Sequence, residues 1–310
     1  MKAHRSVLSV PGHVLKMHGK AAESPADVIM LDLEDSVPPE AKEAARRQVV
    51  QSLSAIDWQD KMVTVRINSL DTPFAYRDLV EIVEGAGEKI DAVVVSKVGD
   101  PGDIHCVDRI LDGIELARGL DGTIGIEASI ETAAGLAEVT AIARASRRLR
   151  TLVFGIADYS ASVGARLVSL SGHGENEAEI YPGHRWHFAL SRMIMAAKAA
   201  GLLAIDAPYG HFKDSEGLQR STVMAGALGC DGKWAIHPSQ LEIINQVFTP
   251  TAEDIRRAVT ILEAAEAGAR HHRGAVAVEG RMIDQATVRL ARRLYDQACY
   301  LGLAPPVNRV

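Results

Sequence analysis

Ile124-Gly125-Ile126-Glu127-Ala128-Ser129-Ile130-Glu131-Thr132 and, one helical segment later, Leu152-Val153-Phe154-Gly155-Ile156-Ala157-Asp158 decide how this chain is read. Each is a short apolar, β-branched run that leads to an acid. Acids at the ends of adjacent parallel strands point into one mouth. Two carboxylates there match the oxygen ligation that Mg²⁺ accepts, with positions left open for a substrate. A plainer reading stands beside this one: Glu131 and Asp158 as helix N-terminal acids that satisfy the macrodipole. Arg66, placed in the same mouth, favours the metal.

Working outward, short apolar runs recur at Val7–Val10, Val28–Leu33, Met62–Ile67, Ala92–Ser96, Ile124–Ile130, Thr151–Phe154, Leu203–Ile205 and Lys233–Ile236. Between them lie helix-like segments: His13–Glu23, Pro39–Leu53, Phe74–Glu84, Asp103–Arg118, Ala133–Ala143, Trp186–Ala200, Leu218–Leu228 and Pro238–Phe248. Pro39 and Pro238 suit the first turns of their helices. Eight strand–helix units predict an α/β (β/α)₈ TIM barrel over residues 1–250, and the continuous apolar runs suit parallel strands covered on both faces. A doubly wound open sheet ranks second, because no Gly-x-Gly-x-x-Gly turn follows any strand. Residues 251–310 are surplus to the barrel. They read as a helix at Ala252–Ala269, a short hairpin at Gly274–Gly280 and a helix at Asp284–Gly302, together a C-terminal helical lid extension or a subunit-packing segment. The polar Gly164–Gly183 stretch, with Gly172-His173-Gly174, is either an active-site loop or a disordered excursion.

Composition narrows the function classes. The 310 residues are 47% hydrophobic and 24% charged with net charge -6, and carry no basic block or zinc spacing, which argues against a nucleic-acid partner. No apolar stretch reaches the ~18 residues of a membrane span. Cys106, Cys230 and Cys299 are odd in number and far apart, against a disulfide framework. With a start, Met1-Lys2-Ala3-His4-Arg5, that leads directly into a strand-like run, these features predict a cytoplasmic protein.

In such barrels the C-terminal strand ends carry the chemistry. They read Asp32-Leu33-Glu34-Asp35, Arg66-Ile67-Asn68, Ser96-Lys97, Glu131, Asp158, Asp206 and His237. Arg66 is either an ion-pair partner of Asp32 or Glu34, or a planar clamp for a substrate carboxylate. Asp32, Glu34 and Asp35 orient Arg66 and metal-bound waters, or form a solvated turn at Asp35. Lys97 is a barrel-core charge or an anion contact. His237 and Asp284, each just before or at a helix start, have capping as their plain alternative.

These residues lie in motifs that resemble the citrate lyase β-subunit-like branch of the HpcH/HpaI aldolase superfamily. The motifs are Arg5-Ser6-Val7-Leu8 with Pro11-Gly12, Leu31-Asp32-Leu33-Glu34-Asp35-Ser36-Val37, Val65-Arg66-Ile67-Asn68 with Leu70-Asp71-Thr72-Pro73, Ile130-Glu131-Thr132, Gly155-Ile156-Ala157-Asp158 and Gly232-Lys233-Trp234-Ala235-Ile236-His237-Pro238-Ser239-Gln240. Within that branch, Asp71-Thr72-Pro73-Phe74, Trp186-His187 and Ile205-Asp206-Ala207-Pro208-Tyr209-Gly210 look most like the malyl-CoA/β-methylmalyl-CoA lyases. The resemblance implies a barrel that binds Mg²⁺, with Mn²⁺ as substitute, through Glu131 and Asp158. It also implies Arg66 on the substrate, CoA contacts at Lys20, Ala157, Ile236 and His237, and Asp284 as acid/base on a lid that crosses to a neighbouring subunit of a homotrimer or homohexamer. Val10, Val14, Ser96 and Ala286 depart from residues common in these lyases.

The implied reaction is reversible carbon–carbon cleavage of malyl-CoA or β-methylmalyl-CoA to glyoxylate plus acetyl-CoA or propionyl-CoA, so the partners are an acyl-CoA and a 2-oxoacid. Citramalyl-CoA cleavage to pyruvate is a near rival, since one methyl is worth only ~1–3 kcal/mol in a pocket. A malyl-CoA thioesterase and a β subunit of a citrate lyase complex are the others.

Overall fold

The computed structural model describes residues 3–120, 124–167, 169–170, 185–270, 276–278 and 280–305. Eight parallel strands close into a barrel in chain order: β1 (Ser6–Pro11), β2 (Val28–Asp32), β3 (Met62–Ile67), β4 (Ala92–Val95), β5 (Gly125–Ile130), β6 (Leu149–Phe154), β7 (Leu203–Asp206) and β8 (Gly232–Ala235). Closure is made by β1 against β8, where Val7 sits opposite Trp234 and Leu8 opposite Ala235. The predicted (β/α)₈ barrel is therefore the fold.

Strand β2 shows why the runs read so clearly. Val28, Ile29, Met30 and Leu31 are all fully buried, alternating between the barrel interior and the helix layer. Val7, Val28, Met30, Val94, Val153, Ile205 and Trp234 form the interior core. Strand β5 departs from this pattern. Its inward positions are Glu127 and Ser129, followed by Glu131 just past its end, all buried, and its apolar side chains face the helices. A register shift against β6 at Ile126/Glu127 leaves Arg150 exposed and sets Thr151 opposite Glu127.

Helices α1 (Leu15–Ala22), α2 (Lys42–Ala55), α3 (Ala75–Ala86) and α4 (Pro101–Arg118) follow the first four strands. The best-signalled is α4. Asp100 and Asp103 form a reciprocal capping box, Pro101 opens the helix, and Gly119 ends it in the left-handed region at φ 63°. The expected Ala133–Ala143 helix is two short pieces, α5 (Ala133–Ala137) and α6 (Val139–Ile142), broken at Glu138 with φ -93° and ψ 5°. Helix α7 (Ile156–Ser162) follows β6 at once, so Asp158 lies in a helical first turn and not on the strand end itself. Helices α8 (His187–Ala199), α9 (Ser215–Leu228) and α10 (Leu241–Val247) complete the barrel units.

The chain divides into two compact units, His4–Gln246 and a second beginning at Val247. The second holds α11 (Ala252–Arg270), the antiparallel pair β9 (Val276–Val278) and β10 (Arg281–Ile283), and α12 (Gln285–Tyr300). Its core packs Ala258 and Leu262 with Ala291 and Tyr295. The hairpin is centred later than the predicted Gly274–Gly280. Most of the 164–183 stretch, with Gly172-His173-Gly174, lies outside the described residues. No described helix is long and apolar enough to cross a membrane.

Candidate active site

Asp32 and Arg66 are register neighbours on β2 and β3, so both side chains enter the mouth side by side. Arg66 Nε and Nη2 donate to the two Asp32 oxygens at 2.7 Å each, and Nη1 faces Glu34 Oε2 at 3.0 Å. The guanidinium also lies over the Trp234 ring, 5.5 Å from its centroid. Burial alone would raise the Asp32 carboxyl, but Arg66's charge and hydrogen bonds outweigh it and hold the pKa at about 2. Arg66 is thus an ion-pair partner of both Asp32 and Glu34.

The turn after β2 is held from several sides. Asp32 accepts from the backbone N–H of Glu34 at 2.9 Å and of Ser36 at 3.2 Å. Lys42 Nζ donates to the carbonyls of Leu33 and Glu34, both at 2.7 Å, and Asn68 Nδ2 to that of Leu33 at 2.9 Å. Asp78, fully buried, in turn accepts from the Asn68 backbone and from Arg46. Lys42 and Arg46 escaped sequence reading, because each lies on a helix with no strand-end signal.

Lys97, just past β4, has φ 53°, uncommon for any residue but glycine. That backbone turn aims its N–H at Glu131 Oε1, 2.7 Å away. Its ammonium contacts Glu34 and stands 3.6 Å from both Asp35 and Asp158. Lys97 is therefore paired with acids and is not a barrel-core charge.

Glu131 is 2% exposed. Burial, then the negative charges of Glu34 and Asp158, push its carboxyl up to about 7 against the pull of Arg66. Gly155 makes its placement feasible, since a Cβ there would stand 2.2 Å from Glu131 Oε2. The glycine between strand and acid was the available signal for that close approach. Asp158 is about one-third exposed and Asp35 is exposed.

The mouth thus gathers five carboxylates (Asp32, Glu34, Asp35, Glu131 and Asp158) against two cations, Arg66 and Lys97. The surplus is negative, and it adds to burial in disfavouring the charged form of Glu131. A divalent cation fits such a donor set. Among the described residues no three His, Cys, Asp or Glu side chains form a cage, so Glu131 and Asp158 would leave most coordination positions to water and substrate, as Mg²⁺ tolerates.

The β8–β1 side of the mouth is different in kind. Ile236 is 42% exposed. His237 caps the short turn Pro238–Gln240, with Nδ1 accepting from Ser239 N at 3.2 Å, and stacks on Phe212 with ring centroids 4.7 Å apart. Lys20 is exposed in the last turn of α1, and Ala157 is half-buried beside Asp158. Asp206 does not join the acid group: it pairs with buried Lys233, whose Nζ also donates to Ser221 of α9 at 3.1 Å. Asp284 belongs to the second unit. There it is exposed and caps α12, accepting from Thr287 N at 2.9 Å, which holds its carboxyl below the usual range.

A curated L-malyl-CoA/beta-methylmalyl-CoA lyase of Rhodobacter capsulatus is 41% identical over 302 residues, covering 96% of this chain and 95% of that protein. A malyl-CoA/beta-methylmalyl-CoA/citramalyl-CoA lyase of Chloroflexus aurantiacus is 33% identical, covering 99% of this chain and 91% of its own. The crystal structure of CitE from Mycobacterium tuberculosis, in complex with magnesium, acetoacetate and coenzyme A, aligns with a TM-score of 0.77 at 28% identity, covering 96% of this chain and 98% of that one. Residues 5–238 match the family model for HpcH/HpaI aldolase/citrate lyase, and the chain belongs to that family.

Proposed function

We propose that the protein is a Mg²⁺-dependent acyl-CoA lyase that reversibly cleaves L-malyl-CoA or β-methylmalyl-CoA to glyoxylate and acetyl-CoA or propionyl-CoA. The observation that carries this reading is the acid surplus around Glu131 and Asp158, with Arg66 locked beside it. Support for the substrate comes from the names of near-full-length relatives, and for the cation from the magnesium in the M. tuberculosis structure. A cytoplasmic setting suits the three free thiols.

Glu131 and Asp158 would hold the cation. When bound, it supplies a Lewis acid that lowers the pKa of the substrate hydroxyl and favours the carbonyl that replaces it. Arg66 Nε and Nη2 are taken by Asp32 and Nη1 faces Glu34, so its outer N–H groups remain to grip the substrate carboxylate. Asp32 and Glu34 keep that fork in place, which lowers the entropy cost of aligning the substrate, while Asp35 is exposed and faces Lys97 instead. Lys20, Ala157, Ile236 and His237 would receive the CoA portion. Asp284, on a lid reaching a neighbouring subunit of a trimer or hexamer, would take the acyl-CoA α-proton in condensation and return it to the thioester enolate in cleavage.

One assay tests this: purified protein with Mg²⁺, acetyl-CoA or propionyl-CoA, and glyoxylate or pyruvate, with products identified by mass. A malyl-type thioester from glyoxylate is expected. A product from pyruvate moves the substrate to citramalyl-CoA, which the Chloroflexus relative's name includes. Release of CoA with no carbon–carbon chemistry, or activity only with an acyl-carrier partner, overturns the reading. Asp284→Asn is expected to slow turnover by about 10³-fold while calorimetry still shows Mg²⁺ binding.

A further inference from the structure

Lys97 stands among the acids of the mouth, beside Asp158, one of the two that would hold a cation. Its ammonium touches Glu34 and is 3.6 Å from Asp35 and from Asp158, while its own backbone N–H fixes Glu131. The left-handed backbone at φ 53° is what makes both contacts available to one residue. The side chain is 28% exposed, so its charge is only partly screened by water.

We infer that Lys97 is a positioning residue that trades metal affinity for oxoacid affinity at this mouth. The inference rests on the reading of Glu131 and Asp158 as the metal-binding acids. Two consequences follow from charge alone. A divalent ion on Asp158 meets a fixed positive charge close by and must displace it toward Glu34 and Asp35, which weakens metal binding. Once the ion is in place, five carboxylates face an Arg, a Lys and two cationic charges, so the mouth is close to neutral. Without the lysine it is more negative and repels an incoming carboxylate. Glu131 keeps its backbone hydrogen bond in either case, because that bond comes from the main chain of residue 97.

The role predicts a split that a merely structural residue does not produce. In Lys97→Gln, Mg²⁺ titrated calorimetrically into protein lacking substrate is expected to bind about tenfold more tightly, and glyoxylate, titrated into Mg²⁺-saturated protein, about tenfold more weakly. Lys97→Arg is expected to restore both toward wild type. Lys97→Asn removes the charge with a side chain that tolerates left-handed backbone, and repeats the test if the Gln variant folds poorly. Parallel weakening of both ligands, or no change in either, overturns the inference. Glu131→Gln is the control for the underlying site: if it binds Mg²⁺ as wild type does, the metal assignment fails first, and the role of Lys97 fails with it.

Discussion

The two ends of the barrel use acids in opposite ways. At the floor, Asp27, Asp91 and Asp231 stand immediately before β2, β4 and β8, and each accepts a backbone N–H from the preceding strand's start: Arg5 at 2.8 Å, Val63 at 2.9 Å and Ala204 at 2.8 Å. Asp27 also takes Arg5 Nε and Nη2, at 2.8 and 2.7 Å. At the mouth, acids outnumber the cations that hold them, and burial with the charges of Glu34 and Asp158 raises Glu131. Floor acids close the sheet, whereas mouth acids are kept under repulsion. That contrast is the general division between stability and chemistry in this fold, written in carboxylates.

Three substitutions test the contrast. The largest effect belongs to the mouth. Glu131→Gln is expected to lower kcat/KM by at least about 10³-fold, on the order of 4 kcal/mol, without lowering the melting temperature in chelator. A large loss of stability would show that Glu131 works like a floor acid.

The second concerns the buried pair beneath the mouth, where His4 Nε2 is 3.5 Å from Glu127 Oε1. Burial pushes Glu127 from 4.5 up to about 7, so its contribution to stability is complete below pH 4.5 and is lost as pH rises toward 7. Burial lowers His4 from 6.5 to about 4, against the attraction of Asp27, Asp231 and Asp91, so its contribution is complete above pH 6.5 and is lost as pH falls toward 4. The two slopes oppose each other between these limits. Glu127→Gln removes one of the slopes that oppose the histidine, and urea unfolding should show this variant gaining about 2 to 3 kcal/mol on wild type between pH 4 and pH 6.5. A profile parallel to that of wild type would remove Glu127 from the account.

The smallest effect is at the floor proper. Asp27→Asn is expected to cost about 2 kcal/mol, since Arg5 is partly exposed and its loss of charge pairing is tempered by water. Its kcat should be unchanged; a fall in kcat would blur the division between the two ends.

Much of this was legible in the chain. All eight strands were, because burial on both faces calls for runs of apolar residues such as Val28–Leu31 of β2. Glu131, Arg66 and the Asp32–Asp35 turn were legible as polar residues where apolar runs stop. What was not legible depends on distance in sequence or on backbone sign. Lys97 reaches Glu34 across 63 residues, and nothing in Ser96-Lys97-Val98 announces a left-handed residue. The α7 helix was missed because Gly155-Ile156-Ala157 reads as a continuation of β6. The floor device was present as Asp27, Asp91 and Asp231, each directly ahead of a strand, but single acids ahead of strands look like ordinary turn residues.

Strand β5 has a consequence for the order in which the barrel forms. Where β2 offers apolar side chains to both layers, β5 offers them only to the helices and brings Glu127, Ser129 and Glu131 inward. Early collapse is driven by apolar surface, and β5 has half as much to give. Its docking is therefore expected late on the folding path, so that Ile126→Val should speed unfolding more than it slows folding in stopped-flow measurements.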